Sequence, residues 1–159
     1  MRHIEIDVPS QQLVLRDGSE PCICYPISTS LKGLGEQQDS GQTPRGWHQV
    51  RAKIGAEQPL NTVFIGRRPT GEIYTSNLAR QYPQRDWILS RLLWLSGMEP
   101  GFNRGEGVDT MRRYIYIHGC PDEISFAKPA SHGCIRVHNH DMLELFNWVT
   151  FGERVLIRG

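Results

Sequence analysis

One stretch of the chain carries most of the residue types that could do chemistry: His118-Gly119-Cys120, followed by Ser131-His132-Gly133-Cys134-Ile135-Arg136. A cysteine attacks a carbonyl as its thiolate, and a free thiol with a pKa near ~8.5 needs help to ionise at neutral pH. A histidine within reach can take the proton and later return one to a leaving amine. His118 and His132 are both candidates. The loop between the two segments, with Pro121 and Pro129, is long enough to fold His118 back onto Cys134. His132 lies two residues from Cys134, so in extended backbone the two side chains share a face. Gly133 has no Cβ, so a substrate carbonyl can approach the main chain, and the Gly133 and Cys134 amides could receive an oxyanion. Arg136, a planar cation, suits a carboxylate belonging either to a substrate or to the protein.

These residues need elements to hold them. Tyr114-Ile115-Tyr116-Ile117 is β-branched and aromatic and predicts a strand with His118 at its end; Ile135-Arg136-Val137 predicts a short strand leaving Cys134. Upstream, Ile4, Ile6 and Val8 alternate with polar residues, and residues 12–15 and 22–27 flank a hairpin signal at Asp17-Gly18. Residues 28–46, rich in Gly, Ser and Gln, predict a loop. Residues 47–54 and 61–66 predict strands, Pro69-Thr70-Gly71 a turn into 72–74, and 153–158 a last strand. Trp87, Ile88, Leu92 and Leu95 follow helical spacing after a possible cap at Asp86, which predicts a buried helix over 86–95. Met142, Leu145, Phe146 and Val149 predict the inner stripe of a second helix, with Asn139 as its cap. Many short strands and two helices make a mainly β domain, sandwich or barrel-like, spanning residues 1–159 as one unit.

Composition narrows the function. The 159 residues are 38% hydrophobic and 22% charged, with a net charge of +1 and no basic run, which argues against nucleic acid or an anionic membrane as partner. Glu5 and Asp7 interrupt the amino-terminal region where a signal peptide would be apolar, so a cytoplasmic location is expected, with the four cysteines as thiols.

The histidine at 118 and the Ser131-to-Arg136 string resemble the signature of the L,D-transpeptidase catalytic domain (YkuD) family, and Thr43-Pro44-Arg45-Gly46-Trp47 resembles the family's Thr-Pro-x-Gly-aromatic turn. The resemblance implies a fold of mixed sheets with a helix packed against them. It implies Cys134 as nucleophile, His118 as proton acceptor and donor, and Gly119 as the residue orienting His118. It also puts His132 and Gly133 at the oxyanion, and Ser131 and Arg136 on the substrate. Position 120, usually Thr or Ser in relatives, is Cys here. The implied substrate is a peptidoglycan stem peptide or muropeptide, attacked at the bond between the L-centre of a diamino acid and D-alanine. No cofactor is implied, and carbapenem-type β-lactams are expected to acylate the thiol. In the cytoplasm, trimming of tetrapeptides by an L,D-carboxypeptidase is the expected reaction, with cross-linking by transfer the alternative.

A different class of function fits the same residue types. The two His-x-Cys units, His118-Gly119-Cys120 and His132-Gly133-Cys134, with Cys22-Ile23-Cys24 and His138-Asn139-His140 in reserve, could hold a structural zinc in a binding module without activity, although their spacing is not that of a finger or ribbon.

Overall fold

The computed structural model describes residues 1–126 and 129–159. Ten strands and two helices follow in the order β1 (Arg2–Asp7), β2 (Gln12–Asp17), β3 (Glu20–Ser28), β4 (Gly46–Ile54), β5 (Thr62–Ile65), β6 (Arg68–Ile73), α1 (Ser76–Gln81), β7 (Leu89–Gly97), β8 (Tyr116–Cys120), β9 (Ile135–His138), α2 (Asn139–Trp148) and β10 (Arg154–Arg158). Eight of the strands run β4-β10-β1-β2-β3-β9-β8-β7, and β7 pairs back onto β4. The sheet therefore closes into a barrel, and the β5–β6 hairpin hangs from β7. The β1–β10 and β8–β9 pairs are parallel, which makes the barrel mixed. The barrel-like, mainly β expectation holds, with one closed sheet in place of two separate ones.

Alternation in the strands decides what fills the barrel. Ile4 and Ile6 of β1, Leu13 and Leu15 of β2, Ile117 of β8, and Ile135 and Val137 of β9 all point into one core. Into that core α2 inserts Met142, Leu145 and Phe146, with Val149 just past its end, as the periodicity predicted. Each such side chain, fully buried, contributes about 1.5–3 kcal/mol of transfer free energy. The orphan carbonyls at the end of α2 are met by a cation: Lys53 Nζ donates to Phe146 O at 2.7 Å and Val149 O at 2.6 Å. At the other end the cap is His138, without a side-chain bond. Asn139 is not the cap; its side chain accepts from Ser90 Oγ at 2.8 Å and donates to Asn61 Oδ1 at 2.5 Å.

Three other expectations are corrected. Residues 86–95 form no helix: 89 onward is β7, whose two faces are both buried, with Leu93 and Leu95 in the barrel core and Leu92 against Phe64 and Tyr116 outside it. A bulge between Leu89 and Leu92, with Ser90 at φ 73°, shifts the phase of the strand and gives the apolar residues a false helical spacing. The second helix is instead α1, capped by Thr75 Oγ1 accepting from Leu78 N at 3.0 Å. Pro69-Thr70-Gly71 lies inside β6, and the hairpin turns at Gly66 and Arg67, both at positive φ. β8 starts at Tyr116, so His118 is in mid-strand.

Replacing Lys53 by Met should leave the α2 carbonyls unmet and cost about 1–3 kcal/mol. Urea unfolding should show a lower midpoint with an unchanged slope. An unchanged midpoint would mean that water satisfies those carbonyls equally well.

Candidate active site

The parallel β8–β9 register places the chemistry on one face. Ile117 pairs with Ile135, His118 with Arg136, Gly119 with Val137, and Cys120 with His138. Ile117, Ile135 and Val137 face the barrel core, so His118, Cys120, Cys134 and Arg136 face the other way. Along that face Cys134 comes first, then the His118–Arg136 pair, then Cys120. His118 and Cys134 are thus diagonal neighbours on adjacent strands, a spacing that long side chains bridge.

His118 is fully buried. Its Nδ1 lies 2.8 Å from the carbonyl of Gly119, which can only accept, so the ring proton sits on Nδ1. Nε2 is left with a lone pair and, among the described residues, has no hydrogen-bond partner, although it is buried. Burial pushes the imidazole below its ordinary pKa, opposed by the negative charge of Asp86, and so keeps it neutral. Gly119 has a steric reason to be glycine: a Cβ there would stand 2.4 Å from Leu89 O and 2.7 Å from Asn139 Oδ1. Cys134 is half-buried beside Tyr116; the Tyr116 amide donates to its Sγ at 3.3 Å, and the thiol can donate to Tyr114 O at 3.5 Å. Burial pushes this thiol up to about 12, against the Tyr116 bond, so the resting pair is thiol and neutral imidazole.

The turn carrying Cys134 is tied from several sides. Ser131 Oγ donates to Cys134 O at 2.5 Å and accepts from the Gly133 amide at 3.3 Å. Thr43 Oγ1 donates to Gly133 O at 2.9 Å and accepts from Ser30 N at 3.0 Å, which explains why the 43–47 turn accompanies the distant cysteine in the sequence. Ser131 is itself buried, and its hydroxyl is engaged within the turn. Gly133 sits at φ 131°, a conformation that glycine alone adopts readily, and it breaks the extended path on which His132 and Cys134 would share a face. His132 is accordingly on the rim, its side chain 76% exposed.

Asp86 is the site residue that sequence reasoning missed, having been placed as a helix cap. Its carboxylate accepts from Arg136 Nη2 at 2.9 Å and lies 3.4 Å from His132 Nδ1. Burial would raise its pKa, but the charge of Arg136 and the hydrogen bonds from Arg136 and His132 hold the carboxyl below its ordinary value, and His118 adds to this only when it is protonated. Arg136 is therefore engaged with an acid of the protein, while one side of it lines a cleft. The only sequence signal for Asp86 was a lone acid before an apolar run.

The family model for the L,D-transpeptidase catalytic domain (YkuD) matches residues 1–157. The chain belongs to that family. It is 35% identical over 94 residues to the putative L,D-transpeptidase YkuD of Bacillus subtilis (strain 168), which covers 59% of this chain and 47% of that protein. It is 49% identical over 45 residues to the putative L,D-transpeptidase YqjB of the same strain, 28% of this chain and 26% of that one. Its fold matches the L,D-transpeptidase from Mycobacterium smegmatis with a TM-score of 0.61 at 14% identity, over 99% of this chain and 58% of that one. It also matches L,D-transpeptidase 3 from Mycobacterium tuberculosis in complex with a faropenem-derived adduct, with a TM-score of 0.56 at 15% identity, over 99% and 60%. The chain thus spans at most about half the length of these curated relatives. Among the described residues no three potential metal ligands come together: Cys22 and Cys24 are exposed on β3, and Cys120 is buried on β8.

Two measurements follow from this electrostatic arrangement. Iodoacetamide should alkylate Cys134 about tenfold faster per pH unit from pH 7 to 10, because a thiol at about 12 has no plateau there; a plateau near neutrality would reveal a preformed ion pair. In turnover, the acid limb belongs to His118 and lies below pH 6.5, since protonation removes the base. Asp86→Asn removes an anion that favours the charged imidazole, so this limb should move further down while kcat/KM falls about tenfold. An unmoved limb would separate Asp86 from His118.

Proposed function

We propose that the chain is a cysteine acyl-transfer enzyme acting on peptidoglycan stem peptides, chiefly as an L,D-carboxypeptidase that removes the terminal D-alanine of tetrapeptides. The observation that carries this reading is the buried, unpartnered Nε2 of His118 on the face and diagonal of Cys134. As the substrate carbonyl arrives, Nε2 takes the thiol proton and Sγ attacks, so the thiolate forms only as it is consumed. The Gly133 amide, whose bond to Ser131 is long, is available to the oxyanion along with Cys134 N. Collapse gives a thioester, and the imidazolium returns the proton to the departing amine. Water, deprotonated by the same His118, then releases the trimmed peptide.

Hydrolysis at chain ends is favoured by the arginine-lined cleft directly beyond His118, the side on which the leaving group departs. The names of the Bacillus relatives favour a second reading, transfer to an amine with formation of a cross-link. A cytoplasmic setting with soluble muropeptides is part of the first reading, and cell fractionation tests it. A neighbouring structure is an avibactam carbamoyl enzyme and another holds imipenem, which supports acylation of Cys134 by carbapenem-type β-lactams.

Incubation with a purified tetrapeptide muropeptide should yield tripeptide and free D-alanine by mass analysis. Cys134→Ala should abolish this, His118→Ala should cost about 10²–10⁴-fold, and His132→Ala should cost less. Cross-linked dimer as the main product would select transfer, and an active Cys134→Ala protein would end the thioester mechanism.

A further inference from the structure

Past His118 the catalytic face opens into a cleft of about 440 Å³. The β8–β9 register fixes its direction. Cys134 lies two residues before Arg136, and Cys120, which lines the cleft, lies two residues after His118. The cleft, lined by Arg136 at the level of the base and by Cys120 one two-residue step further on, therefore extends from the base away from the nucleophile. A base that hands its proton to the departing amine must have that amine beside it, and this cleft adjoins the base through Arg136 and Cys120.

The lining specifies the chemistry of the occupant. Among the described residues the charged groups lining it are Arg80, Arg85 and Arg136, and an acid at its edge, Glu123, accepts from the hydroxyl of Tyr74 at 2.8 Å. Arg136 is paired with Asp86 and Arg85 with Glu72, each at 2.9 Å. Arg80 of α1 makes no ion pair among the described residues and touches only the side chain of Asn77. The same lining carries an aromatic wall, Trp87 with Tyr74 packed edge-on at 5.1 Å between ring centres. The Arg85 guanidinium, 4.5 Å over the Trp87 ring, stiffens that wall. Size adds a second constraint. At ~30 Å³ per water-sized group the cleft holds roughly fifteen such groups, and it falls in the ~300–1,000 Å³ range of small-molecule pockets. One alanine fills less than half of it.

We propose that this cleft is the leaving-group subsite, shaped for a departing segment that ends in a carboxylate and carries an apolar body larger than the methyl of alanine, with Arg80 receiving the carboxylate. This rests on the acyl-transfer reading of Cys134 and His118. In the step itself the C–S bond forms and the C–N bond to the segment breaks. The thiol proton, carried by His118, ends on the freed amine, and no other reactant is consumed before water. Two sources present this chemistry: a D-amino acid with a large apolar side chain at the last position of the stem, or a terminal D-alanyl-D-alanine.

The test uses stem peptides ending in D-alanine, in D-phenylalanine or in D-alanyl-D-alanine, each as free acid and as amide, with the wild-type chain, Arg80→Gln and Arg80→Lys. One of the larger leaving groups should be released with a kcat/KM at least equal to that of D-alanine, which remains the leaving group of the tetrapeptide. Preference for D-phenylalanine identifies the side-chain source, and preference for the dipeptide identifies the other. Arg80→Gln should raise KM about tenfold for that free acid with little change in kcat, and should not alter the amide. Arg80→Lys should recover part of the loss. D-alanine preferred over both larger groups, or acid and amide penalised equally by Arg80→Gln, would overturn the subsite and leave the acyl-transfer reading standing. No cleavage of any of the peptides by the wild-type chain would overturn both.

Discussion

A neutral imidazole sealed inside the sheet is the constraint on which the site depends. His118 is fully buried although it faces away from the barrel core, and on the core side β7 and α2 pack against its strand only because Gly119 has no side chain to meet Leu89 O and Asn139 Oδ1. The carbonyl of the same glycine accepts the hydrogen bond from Nδ1, so one residue sets both the tautomer and the packing behind the imidazole. Burial then does electrostatic work: it disfavours the charged form of both the imidazole and the Cys134 thiol. Asp86 sets the limit of that effect, keeping the imidazole basic enough to accept a proton at all.

Around this pair the hydrogen bonds divide by distance along the chain. Ser131 works locally, tying the backbone on either side of Gly133, while Thr43 and Ser30 come from far upstream to hold the Gly133 carbonyl. The turn carrying Cys134 is consequently fixed by backbone positions on three segments, which leaves the thiol itself outside these ties. The helix contributes through Asn139, which links α2 to Ser90 at the β7 bulge and to Asn61 before β5.

Much of this was legible in the sequence, and the failures have physical causes. The 131–136 string and His118 were readable because nucleophile, glycine and base are set by local chemistry, and the α2 stripe because an amphipathic helix shows its period. The 86–95 segment misled because a strand buried on both faces carries no alternation, and its bulge moves Leu92 out of phase. Asp86 was hidden by the same error, since its partners Arg136 and His132 are distant in sequence. The six-residue α1 was unreadable because it has no buried residue to mark a face. The cleft it borders was equally invisible, being assembled from Tyr74, Arg80 and Trp87 on one side and Cys120 and Arg136 on the other.

Closure of β4 onto β7 gives every strand of the barrel two neighbours, which leaves β6, paired only with β5, as the described strand with a free edge. An unpaired edge is a template on which another chain can add a strand. Here it carries Pro69, which lacks an amide proton, and Gly71 at φ 87°, together with the charges of Arg68 and Glu72. A strand so interrupted is a poor partner for edge-to-edge pairing. The appended hairpin thus guards the protein against self-association as the closed barrel does, by denying a regular ladder to any incoming strand.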